Sequence, residues 1–96
     1  MRDVYLVTYD IRNDRRLRKV FKVVSGFGQH LQYSVFRCEL SPANKERLKA
    51  RLAEVIDHRV DQVLIFDLGP VDGFRADLVE SIGQGYVVEN GDAVVV

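Results

Sequence analysis

Read for hydrophobic period alone, the chain divides into a few strongly patterned segments and a weakly patterned end. Val4 to Tyr9 is rich in β-branched and aromatic residues and has no breaker, so it predicts a strand covered on both faces. Asp10 to Asp14 supplies side chains that bond backbone amides, with Asn13 or Asp14 suited to capping, and Leu17, Val20, Phe21 and Val24 then recur at helical spacing. This first helix should stop near Ser25-Gly26-Phe27-Gly28, where glycine permits the left-handed backbone of a helix C-terminus. Gln29 to Leu40 alternates Leu31, Tyr33 and Val35 with Gln32, Ser34 and Phe36; its length holds either one bent strand or a tight hairpin broken around Tyr33-Ser34. Ser41-Pro42 starts a second helix twice over, with a hydroxyl cap and a proline at the first helical position. Leu48, Leu52, Val55 and Ile56 mark its buried face as far as Asp57 or His58. Gln62 to Leu68 is an almost continuous apolar run closed by Gly69-Pro70, which predicts another buried strand.

The last third carries less pattern. Val71 to Asp77 reads as loop, Leu78 to Ile82 as an edge strand, Gly83 to Gly85 as a break, and Asn90-Gly91 as a turn before the apolar tail Ala93 to Val96. Three consecutive valines on an exposed strand invite aggregation, so the tail requires a pairing partner, for which the sheet of a second subunit is a candidate.

Composition narrows the class. At 96 residues the chain is expected to be one domain with a marginal lone core, which oligomerisation would enlarge, and 47% hydrophobic with 29% charged residues is the mix of a folded globular protein. Charges directly after Met1 and the lack of an extended apolar run predict neither signal peptide nor membrane span, hence a cytoplasmic protein; the single cysteine, Cys38, agrees with a reducing compartment and reads as small buried filler.

The net charge of zero hides a split, with 13 Lys/Arg against 7 Asp/Glu over residues 1–60 and 1 against 7 over residues 61–96. Arg12, Arg15, Arg16, Arg18, Lys19 and Lys22 are accompanied by one acid, Asp14, so the first helix has few i,i+4 partners and suits a phosphate backbone better than an ordinary solvated face. Asp10, at the C-terminal end of the first strand, has two readings: a turn or capping carboxylate, and an acid placed where open sheets carry ligands. One carboxylate is a poor metal cage, but Mg²⁺ is held by one or two carboxylates plus waters and substrate phosphates, so a two-fold axis bringing Asp10 against Asp10 of a second chain makes a workable site. Tyr9, Tyr33 and Phe36 have the chemistry to stack bases, and also that of core residues. His30 is a phosphate contact by chemistry and His58 a surface residue; neither has a partner at zinc-site spacing, and nucleotide-cradle and nucleophile-elbow motifs are missing.

Two segments together, VYLVTYDIRNDRRLRKVFK and FGQHLQYSVFRCEL, closely resemble the CRISPR-associated protein 2 family. The resemblance lies in a strand ending Tyr9-Asp10-Ile11, a basic helix, the run Gln32-Tyr33-Ser34-Val35-Phe36, and VLIFDLGP after a second helix. It implies an α+β, ferredoxin-like βαββαβ sandwich: an antiparallel sheet with two helices on one face, residues 1–70, and a 71–96 extension whose strand pairs across a homodimer. It makes Gln29 to Leu40 a hairpin. It also assigns Asp10 as metal ligand (Mg²⁺) and catalytic residue with Tyr9 beside it, Arg15, Arg16 and Arg18 as helix-start cations, and Ser34 and Phe36 as hairpin residues near the site. Arg12, Lys19, Lys22 and His30 complete the expected nucleic-acid contacts, although His30 stands where members commonly carry arginine. Members act in spacer acquisition with the CRISPR integrase. They are described as metal-dependent endonucleases on RNA or DNA and as non-catalytic DNA bridges; a ferredoxin-like regulatory or assembly module is the remaining class.

Overall fold

The computed structural model describes residues 1–73, 79–87 and 93–94. The first strand, β1 (Asp3–Asp10), leads into helix α1 (Asp14–Ser25), the hairpin strands β2 (Gln29–Gln32) and β3 (Val35–Leu40), helix α2 (Pro42–Val55) and strand β4 (Gln62–Pro70). The sheet order is β2-β3-β1-β4, with every pairing antiparallel. This is the ferredoxin-like arrangement, and the β1 run is central, as its lack of polar interruption requires.

Alternation along β1 sorts its side chains. Tyr5, Val7 and Tyr9 join Phe36, Cys38 and Leu40 of β3 in one core with Val20, Val23 and Val24 of α1 and Leu48 and Leu52 of α2, so both helices cover the same face. Asn13 is the cap of α1, its side chain accepting the Arg16 amide, and Ser41 caps α2 by accepting the Asn44 amide. Tyr33 and Ser34 form the turn between β2 and β3, so Gln29 to Leu40 is a hairpin.

Four expectations change. The end of α1 at Gly26 is right-handed (φ −77°); the glycine that matters is Gly28, where a Cβ would overlap the Cys38 sulfur and stand 2.5 Å from the Arg37 carbonyl oxygen. Helix α2 ends at Val55, short of Asp57, because the Asp61 carboxylate takes the Asp57 amide at 2.8 Å and bends the chain into a 57–61 turn. Strand β4 is not buried on both faces: Leu64, Phe66 and Leu68 remain exposed, since the helices cover one side of the sheet and β4 is its edge. Residues 79–82 form no strand; Leu78 and the Asn90-Gly91 turn lie outside the described residues. A short β5 (Tyr86–Val87), which the hydrophobic pattern did not predict, pairs with β6 (Ala93–Val94) within the chain.

Candidate active site at the end of the central strand

Asp10 is the last residue of β1. It lies opposite Gln62, and Thr8 and Leu6 before it lie opposite Leu64 and Phe66; paired residues of an antiparallel sheet point to the same side, so Asp10 closes a row on the helix-free face. Its side chain is 68% exposed, and the nearest cation is a loose one, Arg12 Nη2 at 3.9 Å from Oδ2. Tyr9, one residue earlier, points to the helix side and is buried. The two residues expected to share the chemistry are therefore on opposite faces of the sheet. Burial pushes the Tyr9 phenol above its ordinary pKa, with a smaller push from Tyr33, so it holds its proton at neutral pH.

The loop after Asp10 is tied down by an acid that the sequence pattern did not single out. The Asp61 side chain is fully buried and accepts the Arg12 amide (2.9 Å), the Arg16 Nε (2.7 Å) and Nη2 (3.1 Å), and the Asp57 amide (2.8 Å). Four donors on two oxygens satisfy a buried carboxylate, and the forked Arg16 contact is the geometry that guanidinium supplies and ammonium does not. The Arg16 bond holds the Asp61 carboxyl well below the ordinary carboxylate range, and raises Arg16 in turn. Arg59 makes a second fork onto Asp57 (3.1 and 3.2 Å) and lowers that carboxyl as well. Together these contacts set where α1 starts relative to β4 and leave Arg12, Asn13, Arg16, Arg59 and Val60 around a shallow depression beside Asp10.

The expected nucleic-acid residues separate accordingly. Arg12, Arg15, Arg18, Lys19 and Lys22 are exposed, whereas Arg16 is committed to Asp61. Phe36 has no exposed surface and packs 6.3 Å from the Tyr9 ring, so it is core; Tyr33, by contrast, is 79% exposed. Ser34 acts through its backbone, its carbonyl accepting the Tyr9 amide (3.2 Å) and bringing the hairpin turn to the end of β1. His30 is exposed, with Nε2 at 3.1 Å from the Tyr33 carbonyl. Among the described residues no three His, Cys, Asp or Glu converge on a metal-sized space, and the carboxylate exposed at the end of β1 is that of Asp10. Such a donor fits a hard cation that keeps most of its water, and fits it better in a pair. No helix of the described residues is long and apolar enough to cross a membrane.

Known proteins share this framework. A protein of Geobacter sulfurreducens named CRISPR-associated endoribonuclease Cas2 is 43% identical over all 96 residues, covering the whole of both chains. One from Rhodospirillum rubrum, named CRISPR-associated endoribonuclease Cas2 1, is 39% identical over 93 residues, 96% of this chain and 89% of its own. The crystal structure of Streptococcus pyogenes Cas2 superimposes with a TM-score of 0.73 at 35% identity, covering 83% of this chain and 99% of that one. The sequence profile described as CRISPR associated protein Cas2 matches residues 2–73, which take in the whole βαββαβ unit and the Asp10 turn. On that match and those identities, the chain is a member of the Cas2 family.

Proposed function

We propose that this chain works in CRISPR adaptation, in the cytoplasm and beside a CRISPR integrase subunit, as a homodimer that binds nucleic acid and cleaves RNA phosphodiesters with Mg²⁺ held between the Asp10 carboxylates of two chains. The observation that carries this reading is the position of Asp10, exposed at the end of a helix-free face that continues into the apolar Phe66 and Leu64. Packing that face against its copy removes apolar surface from water, worth about 25 cal/mol per Å², and draws two lone carboxylates to one seam. The names of the relatives, endoribonucleases, support RNA as substrate. The residues of this chain then divide the work: Asp10 supplies the ligand oxygens, Arg12 faces the strand beside it, and the exposed cations of α1 hold phosphates on either side. A divalent cation bound there supplies charge to offset that developing on the scissile phosphate.

A second reading is favoured by one observation. With Tyr9 buried on the other face, Asp10 has no acid–base partner next to it in the strand, and the same dimer without hydrolysis is an architectural bridge along duplex phosphates. Wild type and Asp10→Ala, assayed for Mg²⁺-dependent cleavage of a single-stranded RNA and for binding across a salt series, separate the two. Cleavage lost with binding retained supports the nuclease; binding without cleavage in either protein supports the bridge; affinity independent of salt removes both. A monomer at micromolar concentration in sedimentation removes the paired carboxylates.

A further inference from the structure

Tyr9, Leu17, Arg18, Phe21, His30 and Tyr33 line a cleft of about 460 Å³ between α1 and the β2–β3 hairpin, within the size range of small-ligand sites. Its floor is the buried Tyr9; its walls are aromatic rings that remain open to solvent, Tyr33 at 79% exposure and Phe21 at 40%. The Phe21 and His30 rings brace each other and Phe36. The His30 ring sits 5.0 Å from Phe21, edge-on, and 4.9 Å from Phe36, while its Nε2 lies 3.1 Å from the Tyr33 carbonyl oxygen.

Apolar rings exposed on a small protein signal a partner, and the charge beside these rings says of what kind. Arg18 is the one cation of the lining, and Arg15 and Lys22 lie one turn to either side of it on the same stripe of α1. Among the described residues no carboxylate pairs with any of the three. A flat π-faced group with an anion attached fits such a slot: the rings take the face and the row of cations takes the anion. A duplex cannot offer this, because its bases are stacked inside; a single strand can.

We propose that the cleft takes one unstacked nucleobase of a single-stranded RNA against Tyr33 and Phe21, with Arg18 on the adjoining phosphate. This rests on the nucleic-acid reading above and narrows it to unpaired strands. The lining is made mainly of ring faces, and every base has a face to stack on, so the stacking itself is tolerant of base identity.

The test uses a short RNA carrying one 2-aminopurine, whose emission falls on stacking, and a matched strand with an abasic unit in its place. Wild type should quench the probe and bind the abasic strand roughly 5- to 150-fold more weakly. Tyr33→Ala and Phe21→Ala should lose the quenching and show the same affinity for both strands, Tyr33→Phe should restore it, and Arg18→Gln should lower the salt slope by about 1. Tyr33 lies in an exposed turn, so its variants keep the fold, which circular dichroism verifies. Salt-dependent binding with no quenching and no abasic penalty overturns the cleft while leaving the nucleic-acid reading intact. Salt-independent binding overturns both. A change of oligomeric state in Tyr33→Ala with quenching unchanged gives the cleft to a second copy of the chain and overturns the proposal.

Discussion

Two arginine–aspartate pairs flank the turn between β1 and α1, and they have little in common beyond their chemistry. Arg16–Asp61 closes at 2.7 Å around a carboxylate with no exposed side-chain surface; Arg12–Asp10 stands open at 3.9 Å with both side chains about two-thirds exposed. Water decides the difference. In the dry pair the Asp61 carboxylate needs its donors, because its side chain is out of reach of solvent, while the Arg16 side chain keeps 26% of its surface exposed. In the wet pair solvent screens both charges, the contact itself is worth little, and Asp10 stays available to a ligand. The first pair holds the loop and the second is what the loop presents.

The contrast breaks most visibly at Asp61. Asp61→Ala leaves the Arg16 guanidinium and two amides without their acceptor, and should lower the thermal midpoint by at least about 10 °C. The same carboxylate imposes a pH signature: its folded-state pKa is depressed, so its stabilisation is complete above the ordinary carboxylate value of about 4 and fades as the pH falls below it. The stability gap between wild type and Asp61→Asn, followed by thermal melts from pH 7 downward, should therefore be constant to about pH 4 and then narrow.

Asp10→Ala should do the reverse. Metal-dependent cleavage should fall by a factor on the order of 100 or more, while stability moves by less than about 0.5 kcal/mol. Phe66→Lys addresses whether the wet pair works alone: with the apolar row of β4 interrupted, sedimentation should show monomers at micromolar concentration, and cleavage should drop although Asp10 is untouched. The finest test exchanges like for like. Arg16→Lys keeps the charge but loses the fork and should cost several degrees of thermal midpoint, whereas Arg12→Lys should leave the melt unchanged.

Much of this was readable without coordinates where the cause is local. The Ser41-Pro42 start, the Asn13 cap and the apolar spacing of α1 are neighbourhood effects, and each appears in place. The row of β1 is legible too, and its period of two already assigns Tyr9 and Asp10 to opposite faces. What was hidden depends on distance or on layers. Asp61 is a lone acid before an apolar strand, and nothing nearby distinguishes it from a solvated one; its partner Arg16 is 45 positions away. The continuous run of β4 resembles a strand buried on both sides, but composition does not reveal that only one layer of helices exists to bury it. The aromatic cleft was half legible: Tyr33 could be named as a ring with a base-stacking role, while Phe21 read only as the buried stripe of α1.

The close crossing at Gly28 has a practical consequence. The Cys38 thiol lies directly beneath that glycine with no accessible surface, and burial pushes its pKa up to about 11. A sulfur so shielded reacts with an alkylating agent only while the hairpin lifts away from the end of α1. Its labelling rate is thus a built-in clock for local opening, and comparing that rate with and without bound RNA measures how firmly a strand across the hairpin latches the fold shut.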